Sequence, residues 1–429
     1  MKQKAMIMFF FLCIVCSASA QEVFEEIVRN SHLSANNYCV YPDLDNHQYV
    51  EAPEGKKPFY ISHYGRHGSR YLSQMRAYDV PFEILNKADS LGKLTPLGTE
   101  VYRKVAVIRR NAIGRNGDLT DLGSTQHRHI ARRMIEHFPE VFEGRAVVDA
   151  RSTTRHRCIL SMGAAVQQMA SMKPDLRLKM DASQHDMWYL NYQDKLLRDS
   201  MMTYRAMQAY LEFTQKREHN ERLMGLLFND TAYVNREVDS GTLNYYLFKV
   251  ASIQQDTQVQ DSSHLINIFT NEELYHIWQK ENAWWYICYG PSLLNGGKEP
   301  YTQRHLLRKM IEEADSCISL SQPGATLRYG HETVLLSLVC LLGMNGYDFK
   351  TMDLEEVEKN GWVAYRIFPM GCNVQMIFYR KDPFDKDVLI KVLLNEEEAV
   401  LPVKTNTAPY YRWSDFKDFY LAKLNAYSE

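Results

Sequence analysis

The sequence is short of the features that usually assign a chain quickly. No charge of one sign prevails: 50 basic residues stand against 52 acidic ones in 429 positions, so the surface as a whole carries no electrostatic footprint for nucleic acid. Beyond the first twenty residues neither CxxC nor HExxH occurs, which leaves a dedicated zinc site without support. Cysteine is sparse there too. Cys39, Cys158, Cys288, Cys317, Cys340 and Cys372 form no dense framework, and Cys158 and Cys340 sit in apolar stretches natural to buried thiols, so no connectivity follows. No apolar run approaches the ~18 residues of a membrane helix. These absences direct attention away from the surface and toward a site.

What is present starts with MKQKAMIMFFFLCIVCSASA. Lys2 and Lys4, an apolar run from Met6 to Cys16 and the small residues Ser17 to Ala20 predict a signal peptide cleaved before Gln21. A lipid anchor is the weaker reading, since neither Cys13 nor Cys16 follows a small residue. The expectation is an exported protein, periplasmic or secreted, of ~410 residues, enough for more than one domain.

Along the chain, 21–57 reads as a short helix and loop, and Phe59 to Ser62 opens a strand that halts at Gly65. Helical periods follow over Leu97 to Ile108 and Thr120 to His137, with Thr120 or Ser124 as a cap for the second. RAVVDARSTTRHRCILSMGAAVQQMASM repeats the unit: a strand over Ala146 to Val148, a basic loop, then a helix from about Thr154 to Met172. The region from about 176 to 314 is helical and aromatic-rich, with Trp188, Trp278, Trp284 and Trp285 read mainly as helix packing. After Gly324, ATLRYG is a strand, HETVLLSLVCLLG a helix that begins at once, GWVAYRIFP and CNVQMIFYR two adjoining strands, and YYRWSDFKDFYLAKL a closing helix. The expected architecture is α/β: a mixed sheet with helices on both faces, built from 40–175 and 315–429, with an inserted, mostly helical domain over 176–314.

The chemistry gathers in YISHYGRHGSRYL. Arg66, His67 and Arg70 fall where a strand ends, and groups so charged either face solvent or share an anion. Gly68 allows close backbone approach, and a second arginine-bearing loop, with Arg151, Arg155 and Arg157, stands at an equivalent strand-to-helix junction. Two such loops on one sheet can surround one phosphoryl group, which forked guanidinium donors suit. His67 can donate to that anion, attack phosphorus through a neutral ring nitrogen, or be structural. GHET, Gly330 to Thr333, adds His331 as a further donor and Glu332, at a helix start, as an acid for a leaving oxygen. A literal His-Asp pair, His185-Asp186, is the rival for that acid, but it lacks the strand, glycine and helix around it.

On these residues the chain resembles the histidine acid phosphatase family, the phytase-bearing branch of the histidine phosphatases, and within it bacterial relatives of multiple inositol polyphosphate phosphatase. The family's RHGxR motif is matched by Arg66-His67-Gly68-Ser69-Arg70, its later arginine by Arg157, with Arg155 two residues too early, and its C-terminal HD or HAE motif by His331-Glu332. The resemblance implies His67 as nucleophile, Arg66, Arg70, Arg157 and His331 on the phosphate, and Glu332 as proton donor, with no cofactor and no metal. Leu72 replaces a common proline, and Glu332 directly after His331 lies between the two family forms. The implied function is hydrolysis of phosphomonoesters, inositol phosphates such as phytate first and other small organic or sugar phosphates next. A phosphotransferase and an exported phosphate-binding protein are the remaining readings. Arg151, Arg155, His156 and Lys195 are candidates to meet neighbouring phosphates of a small-molecule substrate, or else are surface charge.

Overall fold

The computed structural model describes residues 21–44, 47–257 and 264–427; the segment 1–20, expected to be a signal peptide, lies outside them. Eight strands form one mixed sheet: β1 (Lys57–Arg66), β2 (Val147–Ser152), β3 (Arg177–Asp181), β4 (Gly324–Gly330), β5 (Asn373–Arg380), β6 (Leu389–Leu394), β7 (Glu397–Glu398) and β8 (Tyr410–Arg412). Their order is β3-β2-β4-β1-β5-β6-β7, with β8 also on β6. The run β3, β2, β4, β1 is parallel, whereas β5 is antiparallel to β1 and β6 to β5. Arg66 lies opposite Gly330, and Ser152 opposite Tyr329. The carboxyl ends of β1, β4 and β2 therefore finish side by side, at the edge where α/β sheets hold their ligands.

Alternation of side chains along each strand explains why the sheet is buried on both faces. In β5, Val374, Met376 and Phe378 enter one core while Ile377 and Tyr379 enter the other. The second core is closed by helices Asp121–His137 and His156–Met172, through residues such as Met134, Met162 and Met169. The first is closed by helices Arg304–Ile318, Glu332–Leu342 and Trp413–Asn425. The helix Asp121–His137 starts where its sequence signals it: Thr120 Oγ1 accepts from the Gly123 N–H at 3.1 Å.

A third core has no strand in it. Leu85, Val101, Val105 and Ile108 pack there with Leu223, Leu227, Leu247, Ala251 and Trp278. Helices Arg76–Ser90 and Pro96–Ala112, which precede β2 in the chain, thus share a core with helices Ser240–Thr257 and Asn271–Tyr289 of the helical middle. Among the described residues of 182–323 no strand joins the sheet, and none of their helices is long and apolar enough to cross a membrane. Trp278 and Trp285 are buried in helix packing, while Trp188 is 46 % exposed.

The expected pair of strands at GWVAYRIFP and CNVQMIFYR is corrected: only the second is a strand. Ala364–Ile367 is a helical turn in a stretch buried almost throughout, from Trp362 to Met370 with Arg366 the exception, so its apolar run reflects burial on all sides and not a strand's alternation. Asn282 Oδ1 accepts the Ala364 N–H at 2.9 Å, which supplies from a neighbouring helix the bond a strand partner would give. β5 pairs instead with β1 and β6. The strand expected over Ala146 to Val148 runs on to Ser152, and β3 continues the sheet to Asp181. All six cysteines after residue 20 are free thiols.

Helix Asp121–His137 is tied to the turn after β6 by a buried ion pair. Arg133 Nε and Nη2 donate to the two carboxylate oxygens of Glu396 at 3.0 and 2.8 Å, and the Tyr41 hydroxyl adds a donor at 2.8 Å. Both side chains are almost fully enclosed. Because removing one member of so buried a pair costs about 3–5 kcal/mol, Glu396→Ala is expected to lower stability by that amount. An unchanged denaturation midpoint in urea would contradict it.

Candidate active site

At the end of β1 the arginine side chains are fixed by some of their nitrogens and left open at others. Arg66 Nη1 donates to the carbonyls of Asn37 and Phe368 at 2.7 and 2.9 Å, which clamps the guanidinium from two distant parts of the chain. Its Nε and Nη2 are buried without a hydrogen-bond partner among the described residues. Arg70 repeats the pattern: Nη1 donates to Tyr71 O at 2.9 Å, the guanidinium lies 5.5 Å from the Tyr38 ring centroid, and Nε is unpartnered. Arg157 Nε, from the start of helix His156–Met172, is a further buried donor of this kind. Buried N–H groups are almost always satisfied, so this set of open donors describes a receptor for an anion with several oxygens.

His67 stands among them, fully buried. Its backbone N–H donates to Gly330 O at 3.0 Å and its carbonyl accepts from the Gly371 N–H at 3.0 Å, so the residue is held between β4 and the turn before β5. The ring Nδ1 is 2.9 Å from Gly68 O. A carbonyl can only accept, so Nδ1 carries the hydrogen and Nε2 is the nitrogen with a free lone pair. Burial pushes the ring's pKa well below the ordinary imidazole value, and the nearby Glu332 offsets this only in part. His67 is therefore neutral through the physiological range.

The loop that follows is packed backbone to backbone. The Gly68 N–H donates to Ser161 Oγ at 3.1 Å, the Ser69 N–H to Gln126 Oε1 at 2.8 Å, and Gln126 Nε2 returns a bond to Ser69 Oγ at 2.9 Å. A Cβ at Gly68 would overlap the backbone of Gly123. Gly330 is constrained in the same manner, since an added Cβ would overlap the Tyr64 hydroxyl. That hydroxyl donates to Leu190 O at 2.9 Å and accepts the His331 N–H at 3.4 Å.

His331 and Glu332 enter from β4 and the helix Glu332–Leu342. The two imidazoles are 5.9 Å apart between centroids, and His331 Nε2 is 3.2 Å from Thr153 Oγ1, which orients it. Burial lowers the His331 pKa to about 4. Glu332 Oε2 lies 3.4 Å from Arg66 Nε and 3.5 Å from His67 Nε2, and Oε1 lies 3.7 Å from Arg70 Nη2. Burial alone would push this carboxyl up, but the Arg66 and Arg70 guanidiniums outweigh it and hold it well below the usual range. Its place in the first turn of the helix adds in the same direction. Glu332 thus presents a carboxylate to the same guanidiniums that are open to an anion. His67, His331 and Glu332 each offer one atom within 4.8 Å of the others, a spacing a metal ion could use. The guanidiniums of Arg66, Arg70 and Arg157 around that point oppose a cation and suit an anion.

The structure brings together six of the sequence-predicted residues: Arg66, His67, Arg70, Arg157, His331 and Glu332. Arg155 is exposed just before the helix. Arg151 is engaged with Asp149 at 3.1 Å and Asp186 at 3.4 Å, which also accounts for the rival His185-Asp186 pair. His156 Nε2 pairs with Asp118 at 3.0 Å, and Lys195 pairs with Asp199 on an exposed helix. Sequence reasoning missed Tyr38, Thr153, Ser161 and Gln126, which set the functional side chains, and Asp256, which faces Arg66 and Arg70 from the helical middle. None carries a local motif; their roles come from contacts across about 30 to 190 positions, which spacing does not reveal.

The model of the histidine phosphatase superfamily (branch 2) matches residues 65–395. The chain is 23 % identical over 327 residues to multiple inositol polyphosphate phosphatase 1 of Gallus gallus, covering 70 % of this chain and 68 % of that one. Among solved structures it resembles a multiple inositol polyphosphate phosphatase of Bifidobacterium longum, crystallised with inositol hexasulfate, at a TM-score of 0.74 and 16 % identity, covering 91 % and 98 % of the two chains. It also resembles the phytase of D. castellii, at a TM-score of 0.65 and 14 % identity over 92 % and 85 %.

The contact of Gly68 with Gly123 generates a test of the loop's role. Gly68→Ala must move the arginine loop away from its helix, and a displacement of about 1 Å at such a centre costs about a hundredfold in rate. The expected result is a loss of that order in kcat/KM for p-nitrophenyl phosphate with the fold retained by circular dichroism; wild-type kinetics would refute it.

Proposed function

The chain belongs to the histidine phosphatase superfamily (branch 2) as a phosphomonoester hydrolase, and from that membership we propose that it hydrolyses inositol phosphates, phytate among them, through a phosphohistidine formed on His67. The observation that carries this reading is the gathering of buried guanidinium nitrogens that lack a hydrogen-bond partner around the lone-pair nitrogen of a neutral, buried imidazole. Arg66, Arg70, Arg157 and His331 take the roles of holding the phosphoryl oxygens, and His67 Nε2 attacks phosphorus in line. Glu332 gives its proton to the departing alcohol oxygen. Water then attacks the phosphohistidine, Glu332 takes the water's proton, and inorganic phosphate leaves.

The charges of the site support that sequence of events. In the free protein the guanidiniums keep Glu332 ionised. A phosphate dianion arriving among them takes up their charge and places its own beside the carboxyl, and both effects raise the carboxyl's proton affinity. The acid is thereby loaded by the substrate it will cleave. The stabilising charges are all side chains, so no step in this scheme requires a divalent ion.

The substrate preference rests on likeness to proteins named for inositol polyphosphates, together with Arg155, an exposed cation next to the socket whose charge is felt at His331. A position just outside the socket suits a second phosphate on the same ring. The leader-like first twenty residues support action outside the cytoplasm on phosphate esters found there.

Two variants separate the proposed roles. His67→Ala is expected to abolish turnover while inorganic phosphate still binds. Glu332→Gln is expected to lose about 10²–10⁴-fold on alkyl phosphates and far less on p-nitrophenyl phosphate, whose leaving group needs little protonation. An intact rate in the first, or equal losses on both esters in the second, would reject those assignments. Phytate and a panel of simple phosphomonoesters, incubated with the protein in excess chelator, test substrate and metal independence. Phytate turnover is expected to persist. Hydrolysis of simple esters without phytate would remove the inositol-phosphate reading, and a loss restored by added metal would remove metal independence.

A further inference from the structure

Asp256 is carried by the helix Ser240–Thr257 and has no part in the chemistry above. Its side chain is fully buried, and neither carboxyl oxygen has a hydrogen-bond partner among the described residues. The charged and titratable groups facing it are Arg66 and Arg70, from the end of β1 and its loop, and Cys39, from the N-terminal segment. The Ser69 hydroxyl is its other polar neighbour; Ser69 Oγ accepts from Gln126 Nε2 at 2.9 Å, so its own hydrogen remains to donate. No ion pair within 4.0 Å joins Asp256 to either arginine among the described residues. Arg66 and Arg70 are thus common neighbours of two carboxyls, Glu332 and Asp256, delivered by different parts of the fold.

A carboxyl with no ion pair and no formed hydrogen bond in so dry a place is costly as an anion and is better kept protonated. As a neutral group it leaves the full charge of Arg66 and Arg70 to the ligand. As an anion it competes with the ligand for the same guanidiniums. We propose that Asp256 is a positioning residue of the phosphate socket: a neutral carboxyl reaching in from the helical insert, whose ionisation draws Arg66 and Arg70 from a bound anion and weakens its binding. This rests on the reading that these arginines hold the phosphoryl group.

The sign and window follow from the surroundings. Burial pushes the Asp256 carboxyl up to about 8, against the opposing pull of Ser69, Arg66 and Arg70. Below that pH the group is neutral and anion binding is at full strength; binding weakens as the pH rises through and above about 8. A bound anion in turn raises the proton affinity of Asp256, so binding near pH 8 takes up protons. A unit charge within about 8 Å of an anion, at an effective dielectric constant near 20, changes affinity by tenfold or more.

Sulfate is the suitable probe, because its charge is constant over this range and it is not turned over. The dissociation constant of sulfate is measured by calorimetry from pH 6.5 to 9.5 for the wild type and Asp256→Asn. Equal affinities are expected at pH 6.5, with the wild type weakening by about tenfold more than the variant by pH 9.5. Parallel profiles would overturn the proposal, as would a large loss in the variant at pH 6.5. Should the variant fail to fold, the wild type alone decides: proton uptake on sulfate binding near pH 8, read from buffers of different ionisation enthalpy, is expected, and its absence is fatal. Stability gives a further readout. A buried acid with a raised pKa contributes its full stability below about pH 4 and loses it progressively up to about pH 8, because the unfolded chain ionises over that range while the folded group stays protonated, so the wild type should fall relative to Asp256→Asn across that window. Because sulfate is not hydrolysed, these outcomes do not depend on whether phytate proves to be a substrate.

Discussion

The constraint on which the structure turns is the crowding of Arg66, Arg70 and Arg157 in a place with little water. Like charges at such distances repel strongly in a medium of low dielectric constant, and each must be held by something other than the anion it awaits. Arg66 is held by two carbonyls, Arg70 by its neighbour's carbonyl and a tyrosine face. The fixing bonds use the nitrogens that point away from the shared centre and leave the others open. Binding energy is set aside for an anion in the folding of the protein itself, which is what preorganisation means in electrostatic terms.

The sheet supplies the geometry for this. Three parallel strands that end at one level deliver Arg66 and His67, Gly330 and His331, and the loop leading to Arg157 to one point, from segments far apart in sequence. Two glycines permit the last ångströms of approach, Gly68 against the backbone of Gly123 and Gly330 against Tyr64. Glu332 then completes the set, because a helix that starts immediately after β4 has its first side chain over the socket. The same carboxylate that lies against the arginines in the free protein belongs to the residue proposed to release the leaving group. Its contacts there at 3.4 to 3.7 Å are looser than ideal ion pairs, as befits a group that must give way.

Much of this was legible in the sequence because the signals are local. RHGSR and GHET each place several chemical groups within five residues at a strand end, and Thr120 marks its helix by a capping hydroxyl. The reading failed where the deciding bond was remote. The segment around Ala364 has an apolar run that suits a strand, yet Asn282 supplies a partner for its backbone and the run closes into a turn. Helices Arg76–Ser90 and Pro96–Ala112 adjoin the sheet in sequence and pack elsewhere, because their apolar faces match the helical insert. Asp256 sits in an ordinary helical stretch, and only the fold sets its carboxyl near the arginines. Arg151 has the residue type and spacing of a phosphate ligand, but Asp149 and Asp186 occupy it.

The clamp on Arg66 has a bearing on how the protein comes into being. One of its two carbonyls belongs to Asn37, 29 residues before it, and the other to Phe368, 302 residues after it, so Arg66 is fixed only when both segments have come to it. A contact across 302 residues, as to Phe368, forms slowly, after the entropy of closing a large loop has been overcome. A chain that stopped short of Phe368 would contain every motif residue and still have no rigid place for Arg66. The capacity to act on a phosphate thus depends on chain that lies beyond the last of the motif residues.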